Sequence, residues 1–505
     1  MSQTSQTRNS APPSTLAFIN VAHPSGLKRH STEIRKHVMR DIGRARRRPK
    51  AKEIPKIQNK DPAITKVGQL RSTAVQIRLS PQLQPEKQAA RHLTRLVAGY
   101  SPLDETNLHS FLYPMKMEET QLQLIRNMDS KVSQPRRRPL YAICFALMTT
   151  DLDAFYLILA SSFIADENYV TTQGAFSTPS QKSSMIALAY YNKSIESVKK
   201  RILESDALSD DGLLIAVLSF LCYNDKVHNF EQWNIHIAGL ERLVALRGGI
   251  DELNDGYTRL LTIWQDICGA AALDIVPRFS LPKDVVFHPA DYGSLNRSKI
   301  FESSLKQLRA TSSGFEETVN ALDFIAGVSV FINNGATDEK FWDNDIQTAR
   351  LIICSTHKAL TLPRVESENI YPNTLLTQSA IIKEVLRRSL LVFLAYLKAR
   401  SEFSKAPMEL GQHLSNLKIL LSLPAFDWSF VPELKLWTIF ICSIGLLGED
   451  KKWCGDHIRE GVARLNLDGS AGVLKMVKEI IWIEHLVPVE DLRWLCTEID
   501  GTYQR

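Results

Sequence analysis

The stretch Asn229-Phe230-Glu231-Gln232-Trp233-Asn234-Ile235-His236-Ile237-Ala238-Gly239-Leu240-Glu241-Arg242-Leu243-Val244-Ala245-Leu246-Arg247-Gly248-Gly249 reads as one helix with both ends marked. Asn229 and Gln232 have the spacing of a capping box. Trp233, Ile237, Leu240 and Val244 then step by four, three and four, so their side chains share one face and can dock the helix. His236 stands beside Trp233 on that face, the place of a hydrogen-bonded core or interface histidine rather than a catalytic one. Gly239 would let a neighbouring helix approach closely. Arg247 falls in the last turn, where its charge suits the negative end of the helix dipole. Gly248-Gly249 supplies a left-handed stop. All of these are structural roles, so the stretch specifies a fold and no reaction.

The same reading extends outward. Upstream, Ser209 is expected to cap a helix whose first turn carries Asp210 and Asp211, and Leu213–Cys222 is apolar on every side, which makes that helix central. Leu188, Tyr191, Ile195, Val198 and Ile202 make a further amphipathic stripe. Thr150-Asp151 opens a buried helix through Phe155 and Leu159. Downstream, a helix runs from about Asp255 to Leu273, ahead of Pro277 and a loop over 278–298. More helices are expected at about 314–333, 345–360, 374–400, 408–423, 433–447, 456–465 and 470–487. Alternating strand-like segments are scarce, βαβ spacing is absent and no fixed-period repeat recurs. The fold class is therefore all-α: a large irregular helical body behind a disordered basic N-terminal arm.

The arm is defined by charge. The chain has 505 residues, 61 Lys/Arg, 55 Asp/Glu and a net charge of +6. Residues 1–60 hold 14 Lys/Arg against 3 Asp/Glu, which leaves a balance of −5 on everything after them. Residues 1–16 are too poor in apolar groups to offset the entropy of ordering. Within the arm, Ile34, Val38 and Ile42 make a short stripe ringed by Arg35, Lys36, Arg40 and Arg44. Arg46, Arg47, Arg48, Lys50 and Lys52 follow, with Pro49 ending any helix. Such a cluster suits a nuclear import receptor, the phosphates of DNA or anionic lipid headgroups, and the stripe a calmodulin-like groove, while many Arg/Lys runs are simply solvated; charge alone does not choose among them. The organisation expected is an arm at 1–60, a linker with one or two helices at 61–137, and the helical body at 138–505.

Reactive chemistry is not visible. The phosphate-loop, dinucleotide, Gly-x-Ser-x-Gly and His-Glu-x-x-His motifs are missing. Asp151 and Asp153 are two residues apart and do not share a helix face, so they read as first-turn acids rather than a metal pair. Cys454 and His457 offer two soft ligands with no second pair nearby, short of what zinc takes. The seven cysteines, at 144, 222, 268, 354, 442, 454 and 496, form no disulfide framework and suit a reducing compartment. Cys144, Cys222 and Cys442 sit in apolar runs as small hydrophobes. No apolar run is long enough to span a bilayer, and no secretory signal is visible. No catalytic residue, metal ligand or cofactor is expected, and no membrane partner.

Several segments resemble a known family. Phe18-Ile19-Asn20-Val21, His23-Pro24, Ile34-Arg35-Lys36-His37-Val38-Met39-Arg40 and Arg44-Ala45-Arg46-Arg47 resemble the opening of fungal transcription-factor-like proteins. Asp151-Leu152-Asp153-Ala154-Phe155, the stretch Glu231–Gly249 (with Trp233, His236, Gly239, Leu240, Arg247, Gly248 and Gly249) and the following Trp264, Asp266, Cys268, Gly269 and Ala270 resemble the body of the same group. The resemblance covers about 18–50 and 138–275. It implies a nuclear regulatory protein with an α-helical fungal-specific transcription factor domain. Many relatives carry a six-cysteine binuclear zinc cluster; here no cysteine precedes Cys144, so the resemblance is to the subgroup with a basic segment instead. The expectation is a transcription regulator in the nucleus. Its arm mediates import or non-specific DNA contact, and its body mediates regulation and binds protein partners or a second copy. The alternatives are a scaffold or co-regulator that never touches DNA, and an unrecognised helical enzyme such as a terpene-cyclase-like or hydrolytic one.

Overall fold

The apolar stripes of the sequence close over one another in a body made of helices. The structure is a computed structural model that describes residues 113–132, 141–167, 181–204, 207–253, 256–288, 297–336, 341, 345–365, 378–401, 407–423, 427–444 and 446–501. All of these lie within one compact unit, Gln84–Arg505. The basic-arm residues Arg35, Lys36, Arg40, Arg44, Arg46, Arg47, Arg48, Lys50 and Lys52 lie outside the described residues.

The helices in chain order are α1 (Glu119–Val132), α2 (Tyr141–Met148), α3 (Leu152–Glu167), α4 (Gln181–Arg201), α5 (Asp211–Lys226), α6 (Phe230–Leu246), α7 (Gly256–Leu273), α8 (Lys299–Thr311), α9 (Glu316–Gly335), α10 (Asp345–Leu360), α11 (Gln378–Ser401), α12 (Pro407–Leu421), α13 (Pro432–Ser443), α14 (Gly448–Leu465), α15 (Gly469–Ile480) and α16 (Val489–Asp500). No strand occurs among the described residues.

The expected helices are there, with shifts that have physical causes. The helix expected from Ser209 is capped instead by Asp210, whose carboxylate accepts the Leu213 N–H at 3.1 Å. An ionised oxygen is the stronger acceptor for an orphan helix N–H. On α4 the buried line runs through Ala187, Ser194 and Val198, so Leu188 lies off it and is 54% exposed. The helix expected at 456–465 begins eight residues earlier, because Trp453, Cys454 and Gly455 continue the packed face toward Gly448. Conversely α15 stops at Ile480, where the chain turns extended and Ile481 accepts a hydrogen bond from the Trp437 indole at 3.0 Å. Helix α1 falls in the 61–137 linker, where one or two helices are expected, whereas α8 and α16 have no separate signal in the sequence.

Helix α7 occupies the centre. It packs against α2, α5 and α6 on the N-terminal side and against α10 and α12 on the C-terminal side. Accordingly Leu260 through Ala271 are all buried. The same set explains why α5 is apolar all round: α2, α3, α6 and α7 surround it. Beyond α7 the chain runs without helix through residue 288, as the loop expectation for 278–298 required. Arg350 and Cys354 of α10 hold that loop by donating to the carbonyls of Val285 and Val286. No helix among the described residues is long and apolar enough to cross a membrane.

Candidate functional site

The motif helix α6 builds much as its sequence predicts. Asn229 Oδ1 accepts the Gln232 N–H at 3.2 Å, and Trp233, Ile237, Leu240 and Val244 are all buried. Gly248 and Gly249 take φ of +103° and +116°, values that strain any residue with a Cβ. His236 is buried against Phe220, ring on ring with centroids 4.7 Å apart. Its Nε2 lies 3.1 Å from the Tyr191 hydroxyl, and Asn224 donates both to that hydroxyl and to the Phe220 carbonyl. Burial lowers His236 to about 4, so it is a neutral hydrogen-bonded core residue at ordinary pH. The close helix approach is at Gly269 on α7. There the Trp233 indole fills the space a Cβ would take.

Arg247 does more than complement a dipole. It reaches α5, donating to Asp211 Oδ1 at 2.6 Å and to the Asp210 carbonyl at 2.7 Å. The same corner gathers Asp151 and Asp153, which are not a metal pair. Asp151 Oδ1 caps α3 by accepting the N–H groups of Asp153 and Ala154. The other faces of both carboxylates meet Arg201, at 2.9 and 2.8 Å, and Arg201 also holds Asp210. Ser197 adds a hydrogen bond to Asp153. Gly212 is needed here, because a Cβ would fall 2.5 Å from Asp151 Oδ2. One guanidinium thus ties α3, α4 and α5 together. Burial raises the Asp151 carboxyl above its usual range, with Arg201 working in the opposite direction.

A second ionic cluster was not legible in the sequence. Asp274, just past the end of α7 with φ +51°, sits between Arg387 and Arg388 of α11. Arg387 donates to both of its oxygens at 2.7 and 3.0 Å, and Arg388 to one at 2.8 Å. Glu384 closes the other side. It takes two hydrogen bonds from Arg387 at 2.9 and 2.8 Å. Arg388 Nε lies 2.6 Å from its Oε1 as a charge contact rather than a directed hydrogen bond. Arg387, Arg388 and Glu384 are fully buried. Arg364 donates to the Asp274 and Leu360 carbonyls. His413 of α12 donates from Nε2 to the Ala271 carbonyl, which leaves Nδ1 to accept from Arg388 at 3.3 Å. Burial would raise the Asp274 carboxyl, but the hydrogen bonds and charges of Arg387 and Arg388 outweigh it and hold it well below the usual range. Periodicity could not place these arginines, because it reports a face and not what stands opposite.

Asp266 is the buried acid of the motif. It accepts the backbone N–H of Phe279 at 2.8 Å, and burial pushes its carboxyl up to about 6 despite that bond. Cys454 is fully buried while His457 pairs with Glu460 at 3.2 Å, so those two are not brought together as ligands. No group of three or more His, Cys, Asp or Glu that could hold a metal ion occurs among the described residues. A groove of about 510 Å³ lies between α12 and α14, lined by Leu414, Ile419, Leu423 and Leu446 with the Lys418–Asp450 ion pair. Both ionic clusters therefore brace helices, tying α3, α4 and α5 together at Arg201 and α7, α11 and α12 at Asp274. That is scaffold chemistry.

Residues 123–329 match the model of the fungal specific transcription factor domain, which relates this part of the chain to transcription regulators. The matched span contains α6, α7, the Arg201 cluster and Asp274. No curated protein and no solved structure matches the chain.

Proposed function

We propose that the protein is a nuclear transcription regulator of fungal type. The observation that carries this reading is the fungal specific transcription factor domain over 123–329. In this reading the arm at 1–60 is an import address or a phosphate-binding segment, 61–137 is a linker, and 138–505 is a body for regulation and protein interaction. The partners are an import receptor, DNA phosphates, and other proteins or a second copy of the chain. Phosphate contacts by Arg44, Arg46, Arg47, Arg48, Lys50 and Lys52 would release counterions. Binding would then fall steeply with salt and carry little sequence preference. The groove between α12 and α14 is the crevice such a body offers to a small effector.

The test is to locate the tagged full-length protein in cells with the Arg44–Lys52 cluster intact or with its basic residues changed to Ala. Nuclear accumulation that is lost in the Ala variant supports the reading. Cytoplasmic residence of the intact protein under all conditions overturns it.

A co-regulator that never touches DNA is the second reading, favoured by residues 1–143 holding no cysteine that could ligate zinc. An electrophoretic shift over a salt series separates the two. Retention of DNA near physiological salt supports direct contact. No shift, with co-purification of a DNA-binding protein, supports the co-regulator.

A further inference from the structure

Three sulfur atoms come together in the body in a way that neither the motif helix nor the ionic clusters require. Cys144 and Met148 are four residues apart on α2 and share a face, with Cys144 Sγ 3.6 Å from Met148 Sδ. Cys222 arrives from α5 and places its Sγ 3.8 Å from that of Cys144. Met148 is buried, whereas Cys144 and Cys222 each keep part of their surface open. The Cys222 thiol is pushed well above its ordinary range by the hydrogen bond with Cys144 and by burial, so its proton leaves only when a metal takes its place.

Two thiols and one thioether are a soft donor set. Calcium and magnesium take oxygen ligands. Structural zinc takes four nitrogen, sulfur or carboxylate ligands, and a thioether is a poor fourth partner. Thiolates combined with a thioether select Cu(I). A trigonal ion with metal–sulfur bonds of about 2.3 Å holds its ligand sulfurs about 4 Å apart. The 3.6 and 3.8 Å spacings, both measured from Cys144 Sγ, match two of the three edges of that triangle to within a few tenths of an ångström.

We propose that Cys144, Cys222 and Met148 form a binding site for one Cu(I) ion that links α2 to α5. On binding, each thiol gives its proton to solvent and donates a sulfur lone pair to the metal. Met148 donates through its neutral sulfur, and the copper stays in the +1 state throughout. Two protons are released per ion bound. The pair Cys442 and Cys454 is fully buried and presents no open face to an incoming ion. This site stands independently of the transcriptional reading.

The test uses the full-length protein, reduced under inert gas and titrated with Cu(I) against a chromophoric Cu(I) chelator. The expected result is one Cu(I) per chain, a sulfur-to-copper charge-transfer band in the ultraviolet, and sulfur as the nearest scatterer in X-ray absorption. Cys144→Ser and Cys222→Ser should each weaken binding by on the order of 100-fold, and Met148→Leu by about tenfold. Cys496→Ser, which touches none of these sulfurs, should bind as the parent does. Met148→Leu conserves core volume, so a weakened affinity there, with an unchanged circular dichroism melt, separates ligation from folding. Failure to hold Cu(I) against the chelator overturns the proposal, as does equal affinity in the parent and Cys222→Ser. Unchanged affinity in Met148→Leu overturns the three-sulfur site.

Discussion

The indole of Trp233 lies in the space that a Cβ at residue 269 would occupy, so α6 and α7 meet at a position where only glycine fits. Both residues are within the matched domain, and Trp233 is fully buried. Gly269→Ala should therefore destabilise the body by about 2–3 kcal/mol, the usual cost of overpacking a closed core. Trp233→Phe, by shrinking the ring, should cost stability alone yet recover part of the loss when combined with Gly269→Ala. Urea melts of the four proteins in a double-mutant cycle measure this. Additive losses would show that the two positions are not in contact.

Arg201 neutralises three carboxylates at the starts of two helices, Asp151 and Asp153 at α3 and Asp210 at α5. Arg201→Met leaves Asp151, Asp153 and Asp210 facing one another with little solvent around Asp153. A loss of about 3 kcal/mol is expected. Replacing Asp153 by Asn in that background should restore some of it, because one of the stranded charges is gone. If Arg201→Met melts with the parent, the cluster contributes nothing measurable.

The Asp274 cluster should be costlier to break than to replace. Asp274→Asn strands Arg387 and Arg388 in a buried setting and should cost about 3–5 kcal/mol. The sign with pH follows from its depressed carboxyl. The stabilisation is complete above the unfolded value of about 4 and is lost as pH falls below it. In Asp274→Asn that loss should be missing from an acid titration of stability followed by fluorescence.

Two histidines and one acid pull stability in opposite directions between pH 4 and 6. Burial holds His236 and His413 down to about 4 in the folded chain. The unfolded chain protonates first as pH falls, so their stabilisation is full above about 6.5 and drains away toward 4, by roughly 3 kcal/mol each. Asp266, raised to about 6, does the reverse. The folded chain keeps its proton longer, so stability from this group is full below about 4 and is lost as pH rises to 6. Asp266→Asn should therefore steepen the acid loss between pH 6 and 4 by about one proton, and His413→Gln should flatten it. Urea midpoints across pH 4–8 test both; slopes unchanged from the parent would refute the assignments.

Much of this architecture was legible from local chemistry. The helix over 345–360 appears with those bounds, and α6 stops where Gly248-Gly249 says it should. What could not be read is what faces what. Asp151 and Asp153 looked like acids at a helix start, and they are, but Arg201 opposite them comes from some fifty residues further on. The helix expected over 374–400 says nothing of Arg387 and Arg388, which are among the largest fully buried side chains of the described residues. Their burial depends on Asp274, more than a hundred residues earlier. A close helix approach is expected from the sequence at Gly239, but the one the structure shows is at Gly269 of α7, and its reason, the Trp233 ring, requires both helices to be in place.

Asp274 ends a helix of the matched span, and the guanidinium groups that hold its carboxylate lie beyond residue 329. A fragment cut at the domain's own border would strip the acid of its guanidinium partners and lay bare the flank of α7 that meets α10 and α12. A shortened protein that keeps these partners has to extend through the whole of α12, to Leu421, well past the stretch that the family match delimits.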